Sequence, residues 1–269
     1  MSEPFATIIN PTPTQVRSIS SSTINQEYRL FVSLPATYAQ SNKRYPVLYV
    51  LDGNALYTLT RQIVEMLQIV NPLPELIIVG IGYPKATHME TVSLRGRDLT
   101  FIELTPEQKA ETDYPFQETG GGTQFLDFIE KELLPFINSQ YPTDRNDQAL
   151  AGHSLGGGFV LYSMLQRPGL FRRNISISPG IDETDLETAR PKISNISSLL
   201  GRLFIAQEIP DDDPDMQSLA KHAAAFVDLL RQKHFEDFEG VFQAFEGEDH
   251  ASVGIVGLTR GLRIVYGNA

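Results

Sequence analysis

Gln148-Ala149-Leu150-Ala151-Gly152-His153-Ser154-Leu155-Gly156-Gly157-Gly158 reads as an apolar strand, a tight turn and the start of a helix. The turn carries Gly-x-Ser-x-Gly, and Phe159, Val160, Leu161, Met164 and Leu165 supply the apolar side chains of the helix that follows. This is the pattern of a nucleophile elbow, in which a serine held in a strained turn projects its hydroxyl above the edge of a sheet. Gly152 and Gly156 lack a Cβ, so strand and helix can pass close to each other on either side of the serine. The N–H of Leu155 then falls at a helix N-terminus, where it can stabilise a developing oxyanion.

The rest of the chain supplies the frame that such an elbow needs. Residues 26–34 alternate apolar and polar, as a half-buried strand does. Val47 to Leu51 and Leu76 to Ile81 are continuous apolar runs, expected of strands covered on both faces. Further strands are predicted at 174–178, 203–207 and 241–245, and helices at 55–69, 125–137, 218–233 and 253–265. Strands alternating with helices imply a mostly parallel central sheet with helices on both faces. No repeat, low-complexity tract or linker interrupts the order, so residues 1–269 read as a single domain.

Residues 83–119 show no clear periodicity. A segment of that size leaving the carboxyl end of a strand reads as a lid or pocket wall, and Tyr83, Phe101, Tyr114 and Phe116 give it apolar material. Gly120-Gly121-Gly122-Thr123 has no Lys of a phosphate-binding loop, so it reads as a hinge or a packing site.

The 269 residues carry a formal net charge of −11, which disfavours nucleic acid as a partner and long-range capture of anionic substrates. No cysteine occurs, so disulfides and thiolate metal sites are excluded. No run of 18 apolar residues spans a membrane. The start, Met1-Ser2-Glu3-Pro4-Phe5, has no basic stretch followed by an apolar one, and a cytoplasmic location is expected.

A serine hydroxyl needs a base to take its proton. Of the five histidines, His250 directly follows the last predicted strand and precedes the last helix. That is where the base falls when the chain order is Ser, then acid, then His. The acid should follow the strand at 203–207, where Glu208, Asp211, Asp212, Asp213 and Asp215 are available; a carboxylate a few residues past the strand end points to Asp211. Asp211, Asp213 and Asp215 also resemble the start of a calcium loop, but Met216 stands at the glycine position and His222 at the position of the final Glu. The second oxyanion donor should come from the turn Asp52-Gly53-Asn54, with the N–H of Asn54 or Gly53 as candidate. No metal or organic cofactor is expected.

Several stretches, in this order, resemble the esterase D-like ("putative esterase") branch of the α/β-hydrolases, and most nearly its siderophore esterases. They are Tyr45 to Gly53, Val79 to Tyr83, Arg95 to Thr100, Gly121 to Leu126, the elbow, Ser178-Pro179, and Gly247 to Val253. The resemblance runs from about residue 26 to the C-terminus. It implies an α/β-hydrolase fold and a serine esterase acting on a small-molecule ester, with Ser154 as nucleophile, His250 as base, and the N–H groups of Asn54 and Leu155 as oxyanion hole. Gly53, Arg97 and His153 fall beside the substrate, with a buried ion pair between Arg97 and Asp98 as the alternative. The chain departs from the family in having no Trp, with Ser178-Pro179 running into Gly180-Ile181-Asp182. It departs also in its acid segment, where Glu208 and Asp211 stand in place of the family's Gly then Glu, so a Ser–His dyad without an acid is the alternative to a triad. Rival readings are acyl transfer to an alcohol and a catalytically silent binding module.

Overall fold

The computed structural model describes residues 13–70, 73–84, 88–111, 116–210 and 213–267. Eight strands form one sheet: β1 (Gln15–Ser21), β2 (Gln26–Ser33), β3 (Tyr45–Val50), β4 (Ile77–Gly82), β5 (Thr143–His153), β6 (Arg173–Ile177), β7 (Gly201–Ile209) and β8 (Phe238–Glu246). Their order is β1-β2-β4-β3-β5-β6-β7-β8. The pairings β1–β2 and β2–β4 are antiparallel and the others parallel. The helices are α1 (Gly53–Val70), α2 (His88–Leu99), α3 (Pro106–Glu111), α4 (Gly122–Phe128), α5 (Leu134–Gln140), α6 (Leu155–Gln166), α7 (Glu183–Asn195), α8 (Pro214–Arg231) and α9 (Ser252–Tyr266). Helices α4 and α5 are one continuous rod joined by a π-helical turn, Ile129–Leu133. The turn ends just ahead of Pro135, which has no N–H to continue the ladder.

Strand periodicity assigns side chains to the two faces. Val47 and Tyr49 pack under α4 and α6 with Phe125, Phe128 and Phe159. Leu48 and Val50 face the other way, toward Tyr57, Val64 and Leu67 of α1 and Leu258 and Leu262 of α9. Both faces are buried, which is why these strands read as unbroken apolar runs. Leu203 and Ile205 of β7 pack with α7 and α8 in a third cluster.

The segment at 83–119 differs from the aperiodic stretch expected. It holds the twelve-residue helix α2 and the short α3. The inward positions of α2 are Val92, Gly96, Asp98 and Leu99, so its buried stripe is thin in apolar side chains and carries little periodic signal. Strand β1 and helix α7 are also additions to the elements predicted from sequence.

Candidate active site

The parallel strands β3 to β8 end at one edge of the sheet, the edge where open α/β sheets bind ligands. Ser154 stands there between β5 and α6, with φ 60° and ψ −126°, a conformation that residues with a Cβ rarely adopt. It is locked from both sides. Its N–H donates to Ile177 O (2.9 Å), and its carbonyl accepts from Gly158 N–H (3.1 Å). A Cβ on Gly152 would overlap the backbone of Gly156, so the elbow requires the close approach that glycine allows.

Leu155 and Asn54 occupy the first turns of α6 and α1, where N–H groups have no carbonyl within the helix to bond. The Asn54 side chain is anchored on the backbone of Tyr83, just past β4. Its Nδ2 donates to Tyr83 O (3.0 Å) and its Oδ1 accepts from Tyr83 N–H (2.6 Å). Asp52, also left-handed at φ 52°, accepts a bidentate pair from Arg95 of α2, at 2.9 Å on each oxygen. Helix α2 therefore clamps the turn that carries Asn54.

His250 lies between β8 and α9. The carboxylate of Asp249 shapes that loop by accepting the N–H groups of Ala251 (2.9 Å) and Ser252 (2.7 Å). The imidazole Nδ1 stands 2.8 Å from Glu208 Oε1. Glu208 is fully buried, and its Oε2 accepts from Gln207 Nε2 (2.9 Å). Burial opposes its ionisation, but hydrogen bonds from His250, its own backbone and Ser178 outweigh burial and hold it below the ordinary glutamate range. An ionised carboxylate can only accept, so Nδ1 carries the proton and Nε2 keeps its lone pair.

The ring of His153, the residue before Ser154, packs 4.6 Å from the ring of His250. This contact brings the His250 ring to the elbow. Burial first, then the neighbouring His250, pushes the His153 imidazole below its usual range, and its Nε2 is buried without a partner. Among the described residues the Ser154 hydroxyl makes no hydrogen bond, so no Ser154–His250 contact is made. Such contacts are often long until substrate is bound.

A profile of the "Putative esterase" family matches residues 21–234. The ferri-bacillibactin esterase BesA of Bacillus subtilis is 33% identical over 93% of this chain and 88% of its own length. The chain belongs to the "Putative esterase" family. A siderophore triacetylfusarinine C esterase of Aspergillus fumigatus is 29% identical to this esterase, over 82% of this chain and 81% of its own. The crystal structure of the BES protein from Bacillus cereus superposes with a TM-score of 0.78 at 27% identity, covering 96% of this chain and 97% of that one. The chain is thus a serine hydrolase of carboxylic esters with the α/β-hydrolase fold.

Of the site residues expected from sequence, Ser154, Leu155, Asn54, His153 and His250 converge on this one edge. Asp211, the expected acid of the esterase, lies outside the described residues. The carboxylate found against the imidazole is Glu208. Strand β7 runs on to Ile209, through the pairs Glu208↔Phe245 and Ile209↔Glu246, two residues beyond the expected end. Glu208 therefore belongs to the strand and not to the loop expected after Gln207.

Gly53 has a packing reason: a Cβ there would lie 2.7 Å from the backbone of Gly80. Arg97 takes the alternative role of a buried ion pair. Its Nε donates to Asp98 Oδ1 (2.7 Å), and Asp98 also accepts from the hydroxyls of Tyr28 (2.7 Å) and Tyr83 (3.2 Å). A cleft of about 760 Å³ lined by Asp144, Arg172, Arg202 and Glu236 opens where strands begin, at the other end of the sheet. Among the described residues no helix is long and apolar enough to cross a membrane.

Proposed function

We propose that the chain cleaves the ester bonds of a siderophore-type substrate through an acyl-enzyme on Ser154. In this reading Ser154 Oγ attacks the ester carbonyl carbon while His250 Nε2 takes its proton. The carbonyl oxygen becomes an oxyanion, stabilised by the N–H groups of Leu155 and Asn54. The carbon–oxygen bond to the leaving alcohol then breaks, and the proton on Nε2 passes to that oxygen. Water, deprotonated by the same imidazole, releases the acid and regenerates Ser154. Glu208 keeps the proton on Nδ1 and stabilises the imidazolium that forms at each step.

The observation that carries the reading is the 2.8 Å contact between Glu208 and His250, at the sheet edge where Ser154 holds a strained turn. The siderophore class is carried over from the relatives. The test is labelling with a fluorophosphonate and mapping of the adduct, followed by rates on nitrophenyl esters of graded chain length and on a ferric catecholate triester. The expected results are an adduct on Ser154, absent from Ser154→Ala, and faster turnover of the triester than of any nitrophenyl ester. An adduct elsewhere overturns the mechanism, and an inert triester overturns the substrate class.

A further inference from the structure

Ser178 is the first residue past β6 and is buried, with its N–H donated to Ala206 O (2.7 Å). Its φ is 47°, a left-handed value that favours glycine. It keeps a side chain there in spite of that preference, and the side chain points at the charge pair of the site. The Ser178 hydroxyl donates to Glu208 Oε1 (2.8 Å) and stands 2.9 Å from His250 Nδ1. Since Glu208 Oε1 is itself 2.8 Å from Nδ1, the three atoms form a closed triangle. Only one proton arrangement satisfies all three sides. The hydroxyl proton turns to the carboxylate, and the Nδ1–H lies between Oε1 and the Ser178 oxygen.

We propose that Ser178 is a positioning residue for this esterase, acting through Glu208: its hydroxyl fixes the ionised carboxylate and, with it, the imidazole that serves Ser154. The proposal rests on the roles given above to Ser154, His250 and Glu208. A carboxylate oxygen held by a single donor could rotate about the Glu208 side chain. Ser178 on one oxygen and Gln207 on the other remove that freedom, so the imidazole finds its partner already in place. The other titratable groups facing Glu208 are His250, ahead of α9, and His153, at the end of β5. The Ser178 hydroxyl is one of the groups that keep Glu208 ionised against burial, so removing it favours the protonated carboxyl.

The experiment compares Ser178→Gly and Ser178→Ala in the wild-type and Glu208→Gln backgrounds, with nitrophenyl acetate turnover, thermal unfolding and a ¹³C NMR titration of the Glu208 carboxyl as readouts. Glycine suits the left-handed backbone, so Ser178→Gly is expected to unfold at or above the wild-type temperature. Its kcat is expected to fall about tenfold, the loss of one hydrogen bond to a charged group, with KM moved less than twofold. The Glu208 carboxyl is expected to titrate about one pH unit higher. Ser178→Ala should show the same loss of kcat, and in the Glu208→Gln background either change should cost less than twofold. A Ser178→Gly variant with wild-type kcat and an unmoved Glu208 titration overturns the proposal. An equal loss in both backgrounds also overturns it, because Ser178 would then act independently of Glu208. Should the wild-type chain lack both turnover and an adduct on Ser154, the mechanism falls, while the titration still decides whether Ser178 holds Glu208.

Discussion

Glu208 is buried to 1% exposure, yet it is held ionised, and that combination makes its role separable from that of the acidic run after it. If Glu208 sets the tautomer of His250, Glu208→Gln keeps the shape but can place an amide donor against Nδ1. The expected loss in kcat is about 10³- to 10⁴-fold, as for the acid of other Ser-His-acid sites. Asp211→Asn should leave kcat within about twofold, since one carboxylate is enough to orient the imidazole. The reverse pattern would return the role to Asp211. Glu208 also links stability to pH. A carboxylate whose folded-state value is depressed contributes stability above its unfolded value, about 4.3 for Glu, and loses that contribution as pH falls through the lower folded value. Urea unfolding of wild type and Glu208→Gln should therefore show a wild-type advantage near pH 6 that shrinks below about pH 4. A difference that grows on acidification would contradict the depressed carboxylate.

Helix α2 shows how an element can be set by polar contacts where its sequence is nearly silent. Its hold on the domain is Asp98, fully buried, which accepts from Arg97, Tyr28 and Tyr83 at once, and Arg95, which grips Asp52 in the turn before Asn54. Asp98→Ala leaves Arg97 and two buried hydroxyls without that partner, and the expected cost in urea unfolding is about 3–5 kcal/mol. A cost below about 1 kcal/mol would mean the cluster is replaceable and that apolar packing alone seats α2. The same contrast explains what the sequence disclosed. Strands β3, β4 and β5 announce themselves because both faces are apolar, and the elbow because glycine on both sides of a serine answers one steric demand. His250 stood out in the sequence by its place after the last predicted strand. Glu208 was hidden because the strand runs on to Ile209, past the apolar run that marks it in the sequence. Ser178 stood out only through the Ser178-Pro179 stretch of the family resemblance, and nothing in it signalled a contact to Glu208, because one serine past a strand end follows no period. Its role depends on where β7 and the loop before α9 carry Glu208 and His250.

At the scale of the whole molecule, the sheet order sets β5 between β3 and β6, so the elbow has the Asp52–Asn54 turn on one side and Ser178 on the other. This central site sits in a chain of net charge −11. Within it Arg95 is paired with Asp52 and Arg97 with Asp98, so their charges are locally balanced. A ferric tris-catecholate carries three negative charges on the complex. Its approach to the site is therefore opposed at long range, and salt should relieve the opposition. Raising ionic strength from about 0.01 to about 0.1 M shortens the screening length from about 30 to about 10 Å. Over that interval kcat/KM for the ferric triester should rise severalfold, while that for the uncharged nitrophenyl acetate stays level. The neutral ester separates the field from any effect of salt on chemistry or folding, since both substrates meet the same Ser154. A kcat/KM for the triester that falls with salt would show that a local positive field at the strand ends outweighs the charge of the whole, and that the anion is drawn to the site.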